Sequence, residues 1–287
     1  MQSGWTLDDI NWSAFDPSQV DLRLLRAVKA ASLVEYNAAT YAGYLKGVFP
    51  GDEKAHAAFD QWAREETQHG EALGRWAQMA DPTFSLEDAA RRFRAGYTPA
   101  HFESGKAARG GQFGEMIARC VVESGTSSYY TAMRDASTEP VLCQIAGLIA
   151  ADEYRHYRLF LDTMHNITEK RPNFLKRLWI AGSRVVEAQD DELAYAFYCA
   201  NVPEKDQARI PYDRKTHALA YEHAIMRQYQ RRHIEKMMGM VSVSVGAHPK
   251  GRFAAIGTWA IWTFLSRKAK RYERLVGETH KALNQAA

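Results

Sequence analysis

Two short segments of this chain have the form Glu-x-x-His: Glu66-Thr67-Gln68-His69 and Glu153-Tyr154-Arg155-His156. At that spacing on a helix the carboxylate and the imidazole share one face and reach a common point beside the helix. A further glutamate precedes each segment inside an apolar stretch. Glu35 follows Leu33-Val34 and precedes Ala38-Ala39, and Glu123 follows Cys120-Val121-Val122. Glu35 lies 31 residues before Glu66, and Glu123 lies 30 before Glu153. Each gap is the length of one helical hairpin, so both halves return their ligands to the same depth. Two Glu-x-x-His helices facing two helices that carry one Glu each form a ligand set for a pair of metal ions. Uncompensated burial of such carboxylates would cost several kcal/mol each, and two divalent cations supply the compensation. Mixed carboxylate and imidazole ligation suits O₂-active iron ahead of manganese. The expectation is two Fe ions per chain, held by Glu35, Glu66, His69, Glu123, Glu153 and His156, with O₂ as co-substrate.

The bland alternative is a set of surface salt bridges on amphipathic helices, and it leaves the apolar neighbours of Glu35 and Glu123 unexplained. A third match, Glu53-Lys54-Ala55-His56, tests the pattern. It lies thirteen residues before Glu66 on the same predicted helix, about 220° further round at 100° per residue. Both pairs cannot face one core. Glu53 also follows Pro50-Gly51-Asp52 at a helix start, where an acidic residue is favoured, so Glu53 and His56 are assigned to the surface. Among the ligands' neighbours, Asp152 is placed to accept a hydrogen bond from the free ring nitrogen of His69, Glu65 to do the same for His156, and Arg155 to neutralise one of these outer carboxylates.

The elements that must position these groups are helices. Apolar residues recur at helical spacing almost throughout, and the longest alternating stretch is Val241 to Val245. One helix is predicted from a cap at Asp21 to about Val48, stopped by Pro50-Gly51, and a second from Asp52 to before Asp81-Pro82. A third runs from about Gln112 to Arg134 and a fourth from Pro140 to Thr168. Two or three more fill the remainder, with a loop over Asn201 to Tyr212 before a C-terminal helical pair. The class is all-α. The expected organisation is one domain, with an N-terminal arm over 1–19, a four-helix core over 20–170 and accessory helices over 171–287.

Three scattered cysteines, Cys120, Cys143 and Cys199, offer neither a disulfide framework nor a thiolate metal site, and a reducing cytoplasm fits them. The N-terminus lacks the basic-then-apolar order of a secretion signal, and the longest apolar stretch, Phe253 to Leu265, is too short for a membrane span. The net charge of +3 divides unevenly: from Met226 onward twelve Lys or Arg stand against three Glu, which leaves −6 for residues 1–225. This basic quarter, with Arg267, Lys268, Lys270 and Arg271, is either a solvated face or a dock for an acidic partner protein or anionic lipid headgroups. No nucleic-acid partner is expected.

The stretches Trp62 to Gly70 (WAREETQHG) and Gln144 to His156 (QIAGLIAADEYRH) resemble the two metal-binding segments of the soluble acyl-carrier-protein desaturases, over about residues 20–170. The resemblance implies a ferritin-like four-helix bundle with additional C-terminal helices, and a homodimer. It implies a threonine beside the di-iron centre, Thr126, that assists O₂ activation. It also implies a tryptophan near the electron-entry side, matched here by Trp62. The chain is shorter than the plant members of that family, and its gap from Glu35 to Glu66 is tighter than theirs. The activity implied is O₂-dependent oxidation of an unactivated C–H bond in a fatty acyl chain, with Thr126, Trp62 and Asp152 as catalytic neighbours. An acyl carrier protein or other acidic carrier would deliver the chain. An external ferredoxin-like donor would supply electrons, since the sequence has no cofactor-binding motif of its own. Ala39 and Gly43, on the face of Glu35, and Tyr130 are candidates to line an acyl channel.

Three other functions remain open at this point. The same site serves a hydroxylase, an N-oxygenase or an aldehyde-deformylating oxygenase. A rubrerythrin-like peroxidase or iron-handling protein shares the ligand set, although its usual rubredoxin cysteines are missing. A helical interaction protein with peripheral membrane contact would use the Phe253 to Leu265 segment, with Trp259 and Trp262.

Overall fold

A computed structural model of the chain describes residues 4–97, 107–187 and 191–285. Among them there is no strand, and helices account for most of the backbone. The site is carried by α1 (Leu22–Glu35), α2 (Ala38–Val48), α3 (Glu53–Ala80), α5 (Gln112–Ala136) and α6 (Pro140–His165), with α4 (Leu86–Gly96) between α3 and α5. Then follow α7 (Phe174–Glu187), α8 (Asp191–Asn201), α9 (Arg214–Met226), α10 (Arg231–Ser244) and α11 (Arg252–Gln285).

The starts follow from local chemistry. Asp21 accepts hydrogen bonds from the amides of Arg23 and Leu24, Asp52 from Ala55, and Glu139 from Val141 and Leu142 ahead of Pro140. Each of these carboxylates satisfies amide donors that a helix start leaves unpaired. Pro140 at the first helical position loses no hydrogen bond.

Four sequence expectations are corrected. The helix expected to run unbroken to Val48 is interrupted at Tyr36 and Asn37. There the Asn37 amide bonds the Val34 carbonyl and the chain restarts as α2, with Asn37 at its cap. Helix α4 was not expected. Five helices, not two or three, follow α6, and three of them lie beyond the Asn201 to Tyr212 stretch where a pair was expected. They are also more than accessories, because α8 packs on α1 and α10 packs on α5. The short alternating stretch Val241–Val245 forms the last turn and cap of helix α10, in keeping with the all-α class.

The core has two apolar clusters. One gathers Leu33, Trp76, Phe93, Tyr130, Met133 and Ile145; the other gathers Leu45, Phe59, Trp62, Met116, Ile117 and Phe160. On α3, α5 and α6 the first cluster takes residues on one side of the candidate ligands and the second takes residues on the other. The polar ligand cluster thus forms the waist between them. At the waist α3 approaches α1 very closely. A Cβ built on Gly70 would lie 2.6 Å from the Tyr36 amide nitrogen and 2.9 Å from the Ser32 carbonyl oxygen. Both are backbone atoms, which cannot swing aside as a side chain can. Gly70→Ala should therefore destabilise the protein by about 1–3 kcal/mol through overpacking. It should also weaken metal binding, because His69 and Glu35 flank the displaced contact. Urea unfolding with parallel metal titration checks both.

Candidate metal centre

The six ligand candidates come together. Glu35, Glu66, His69 and Glu153 each offer an atom within 4.8 Å of the others, and so do Glu66, Glu123, Glu153 and His156. The two groups share Glu66 and Glu153. All six residues are buried: His69 and His156 are 0% and 2% exposed, and no glutamate of the set exceeds 8%. A buried cluster of this composition can hold a metal ion. Glu53 and His56 do not join it. Glu53 is exposed, and the His56 ring bonds the carbonyls of Lys46 and Phe49 at the end of α2, the place its helical phase gives it.

The unsatisfied atoms show where a cation fits. His69 Nδ1, His156 Nδ1, Glu123 Oε2 and Glu153 Oε1 are fully buried and make no hydrogen bond. Buried polar atoms without a partner are rare because each costs about 1–3 kcal/mol. Here four of them belong to one cluster of metal-ligating residues. The opposite ring nitrogens are satisfied: His69 Nε2 lies 3.1 Å from Asp152 and His156 Nε2 lies 2.8 Å from Glu65. Each outer carboxylate fixes its ring so that Nδ1 faces the cluster. Arg155 spans both outer carboxylates, bonding Asp152 and lying 3.5 Å from Glu65.

Charge in the cluster is strongly redistributed. Burial, reinforced by the neighbouring carboxylates, holds Glu35 and Glu123 well above the ordinary carboxylate range. Burial would raise Glu66 too, but Glu35 and the imidazoles of His156 and His69, whose Nδ1 atoms lie 3.1 and 3.5 Å away, carry it well below. Burial works against the charged form of His156, yet Glu65 and Glu66 push it up to about 10, and His69 is raised well above its ordinary value by Asp152, Glu153 and Glu66. Protons thus stand in for the positive charge that the carboxylates demand. A metal ion must displace them.

The sequence finds no match among protein-family models or curated proteins.

The remaining predicted neighbours divide. The Thr126 hydroxyl donates to Glu153 and also lies 3.2 Å from the Glu123 carbonyl. Tyr130 is not open to a channel; it is buried, with its hydroxyl on Glu35. Ala39 and Gly43 are exposed on α2, and nothing lies within 4 Å of the position a Gly43 Cβ would take. The break at Tyr36 and Asn37 shifts the helical phase, so that Ala38, Ala42 and Leu45 turn inward in their place. Trp62 packs edge-to-face on Phe160 at 5.5 Å and lies 4.9 Å beneath the Arg119 guanidinium.

Two site residues were not foreseen. Trp5 stacks on the His69 ring, with centroids 5.9 Å apart, and its Nε1 donates to Asp152 at 2.8 Å. Arg119 places Nη2 3.4 Å from Glu123. Arg119 was discoverable, since it lies one helical turn before Glu123. Trp5 is separated from Asp152 by 147 residues, and no local pattern announces it.

Asp152→Ala should lower metal affinity about 10–100-fold, as loss of an outer hydrogen-bond partner does, while helicity is retained. Competition with a coloured chelator measures it. Because bound protons compete, affinity should also rise with pH and each ion taken up should release protons, which the same titration in weakly buffered solution reads out.

Proposed function

We propose that the protein is an O₂-dependent di-iron oxidoreductase that oxidises an unactivated C–H bond, with a fatty acyl chain as its substrate. The observation behind this reading is the pair of overlapping ligand groups with two bare imidazole nitrogens. Glu35 and His69 would hold one ion, Glu123 and His156 the other, and Glu66 and Glu153 would lie between.

Charge favours two divalent ions. Four buried carboxylates are balanced by two such ions; outside them Asp152 and Glu65 share Arg155, and Arg119 stands beside Glu123. A single ion would leave two carboxylates needing protons. Asp152 and Glu65 keep the imidazoles in the ligating tautomer. Tyr130 and Thr126 fix the unshared edges of Glu35 and Glu153. The flanking apolar clusters exclude water. The bound iron pair would supply the oxidative chemistry with O₂. Electrons would come from an external ferredoxin-like donor, and the hydrogen-bonded series Trp5, Asp152, His69 is the contiguous link between the N-terminal segment and the site. An acidic acyl carrier would meet the basic side of a cavity of about 420 Å³ between α5 and α10, where Arg134 and Arg232 pair with Asp135 and Lys236 stands beside them. The resemblance to the acyl-carrier-protein desaturases supports the acyl substrate and a homodimer.

A second reading keeps the centre and changes the substrate. The displacement of Ala39 and Gly43 to the surface removes two channel candidates. Arg119 sets a cation beside Glu123 among Tyr41, Trp62 and Phe160, which favours a smaller substrate with an anionic or oxygen-bearing group for hydroxylation or N-oxygenation.

Anaerobic reconstitution should load about two irons per chain, and Glu123→Ala should lose at least one of them. No more than one iron in the unaltered protein, or unchanged iron in the variant, would sink the di-iron assignment. Mass spectrometry of lipids and acyl carriers from cells with and without the gene separates the chemistries. New double bonds that require Glu66 and Glu153 support desaturation; hydroxylated or shortened products support the second reading.

A further inference from the structure

Helix α11 is apolar on both sides over its first turns. Its inner face buries Ala254 and Thr258 and packs Ile261, Trp262 and Leu265 against the core. Its outer face presents Ile256 (64% exposed), Trp259 (64%) and Phe264 (48%), which at helical spacing form one stripe. Helix α7 has a similar outer face, with Leu175 at 75% and Trp179 at 66% exposure, four residues apart. A helix apolar on all sides is ordinarily buried. The two helices rest on the same part of the core: Ile180 and Ala181 of α7 share a core cluster with Ala254 of α11, and the Arg177 guanidinium lies against Gly246 in the turn between α10 and α11.

Charge frames these stripes with one sign. Arg252 is exposed at the start of α11, Arg267 and Lys270 are exposed beyond Phe264, and Arg171 and Lys176 are exposed beside Leu175. No Asp or Glu occurs from 250 to 270 or from 171 to 186. Lys268 is spoken for by Glu222, and the side chain of Arg271 lies outside the described residues. We infer that the outer faces of α7 and α11 dock this protein on an anionic lipid surface, with Trp179, Trp259 and their apolar neighbours entering the headgroup layer. A second copy of the chain is a poor occupant, because two-fold pairing of this face would bring cations against cations with no carboxylate between them. Exposed Trp and Phe between Lys and Arg are the anchors of an interfacial helix. Among the described residues no helix is long and apolar enough to cross a membrane, so the contact is one of lying on the surface.

The test uses the full chain and sedimentation with vesicles. Binding to vesicles containing phosphatidylglycerol, little to pure phosphatidylcholine, and loss on raising salt are expected. Trp259→Ser with Phe264→Ser, and separately Arg267→Glu with Lys270→Glu, should each weaken binding by about tenfold or more. Helicity and elution volume should not change. Brominated lipid should quench tryptophan fluorescence in the unaltered protein and less in the first variant. If that variant does not fold, the charge variant, whose side chains are exposed, still decides. Absence of binding to anionic vesicles would overturn the inference. So would binding that both variants leave intact, bound protein whose tryptophans brominated lipid does not reach, as docking through an acidic protein would give, or conversion of a dimer to a monomer by the first variant.

Discussion

Four carboxylates and two imidazoles in the middle of a hydrophobic core set a condition on everything around them. Each buried charge must meet an opposite charge, a proton or a hydrogen bond, or the fold loses several kcal/mol at that point. The helices satisfy the condition in layers. The ligands face one another at the waist, Asp152 and Glu65 hold the imidazoles from behind, and Arg155 and Arg119 neutralise the carboxylates next to them. Apolar packing closes both ends. The close approach of α3 to α1 at Gly70 sits beside His69 because the ligands of two helices can share an ion only if their backbones come near.

The two halves of the centre are alike in sequence and unlike in surroundings. On the Glu35 side the helix breaks immediately after the ligand, a tyrosine hydroxyl holds the carboxylate, and the His69 ring is backed by Asp152 and Trp5. On the Glu123 side the helix continues without interruption, a guanidinium faces the carboxylate, and the aromatic neighbours Trp62 and Phe160 cover that guanidinium rather than the imidazole. A neutral donor and a cation do not affect a ligand equally: the guanidinium draws charge from Glu123 and makes it the weaker donor. Two ions held here would not be equivalent, although the 31- and 30-residue gaps suggest symmetry.

The sequence made legible what depends on short spacing. Glu-x-x-His fixes two groups on one face whatever the rest of the chain does, and helical phase separates Glu66 and His69 from Glu53 and His56. The outer pairs Asp152 with His69 and Glu65 with His156 followed from adjacency to the ligands. Long-range partners were not legible. Trp5 reaches Asp152 only because the N-terminal segment, expected as an arm, packs across α6 with Asn11 and Gln144 bonded to one another. The break at Asn37 has no sequence signal, because neither glycine nor proline marks it. It displaced Ala39 and Gly43, whose assignment rested on an unbroken phase. Periodicity also said that residues 171–287 were helical without saying that α8 and α10 complete the packing of α1 and α5.

The division of charge between interior and surface links the centre to the rest of the molecule. A net +3 understates how positive the exterior is, because it includes four carboxylates sealed in the core. Two divalent ions would take over from the protons that neutralise those carboxylates in the empty centre, so the exterior stays basic in either state. The field that an approaching anionic partner meets would then come from the basic helices after Met226, largely unopposed. Attraction of acidic carriers or anionic surfaces therefore belongs to the basic exterior itself and does not wait on the filling of the centre.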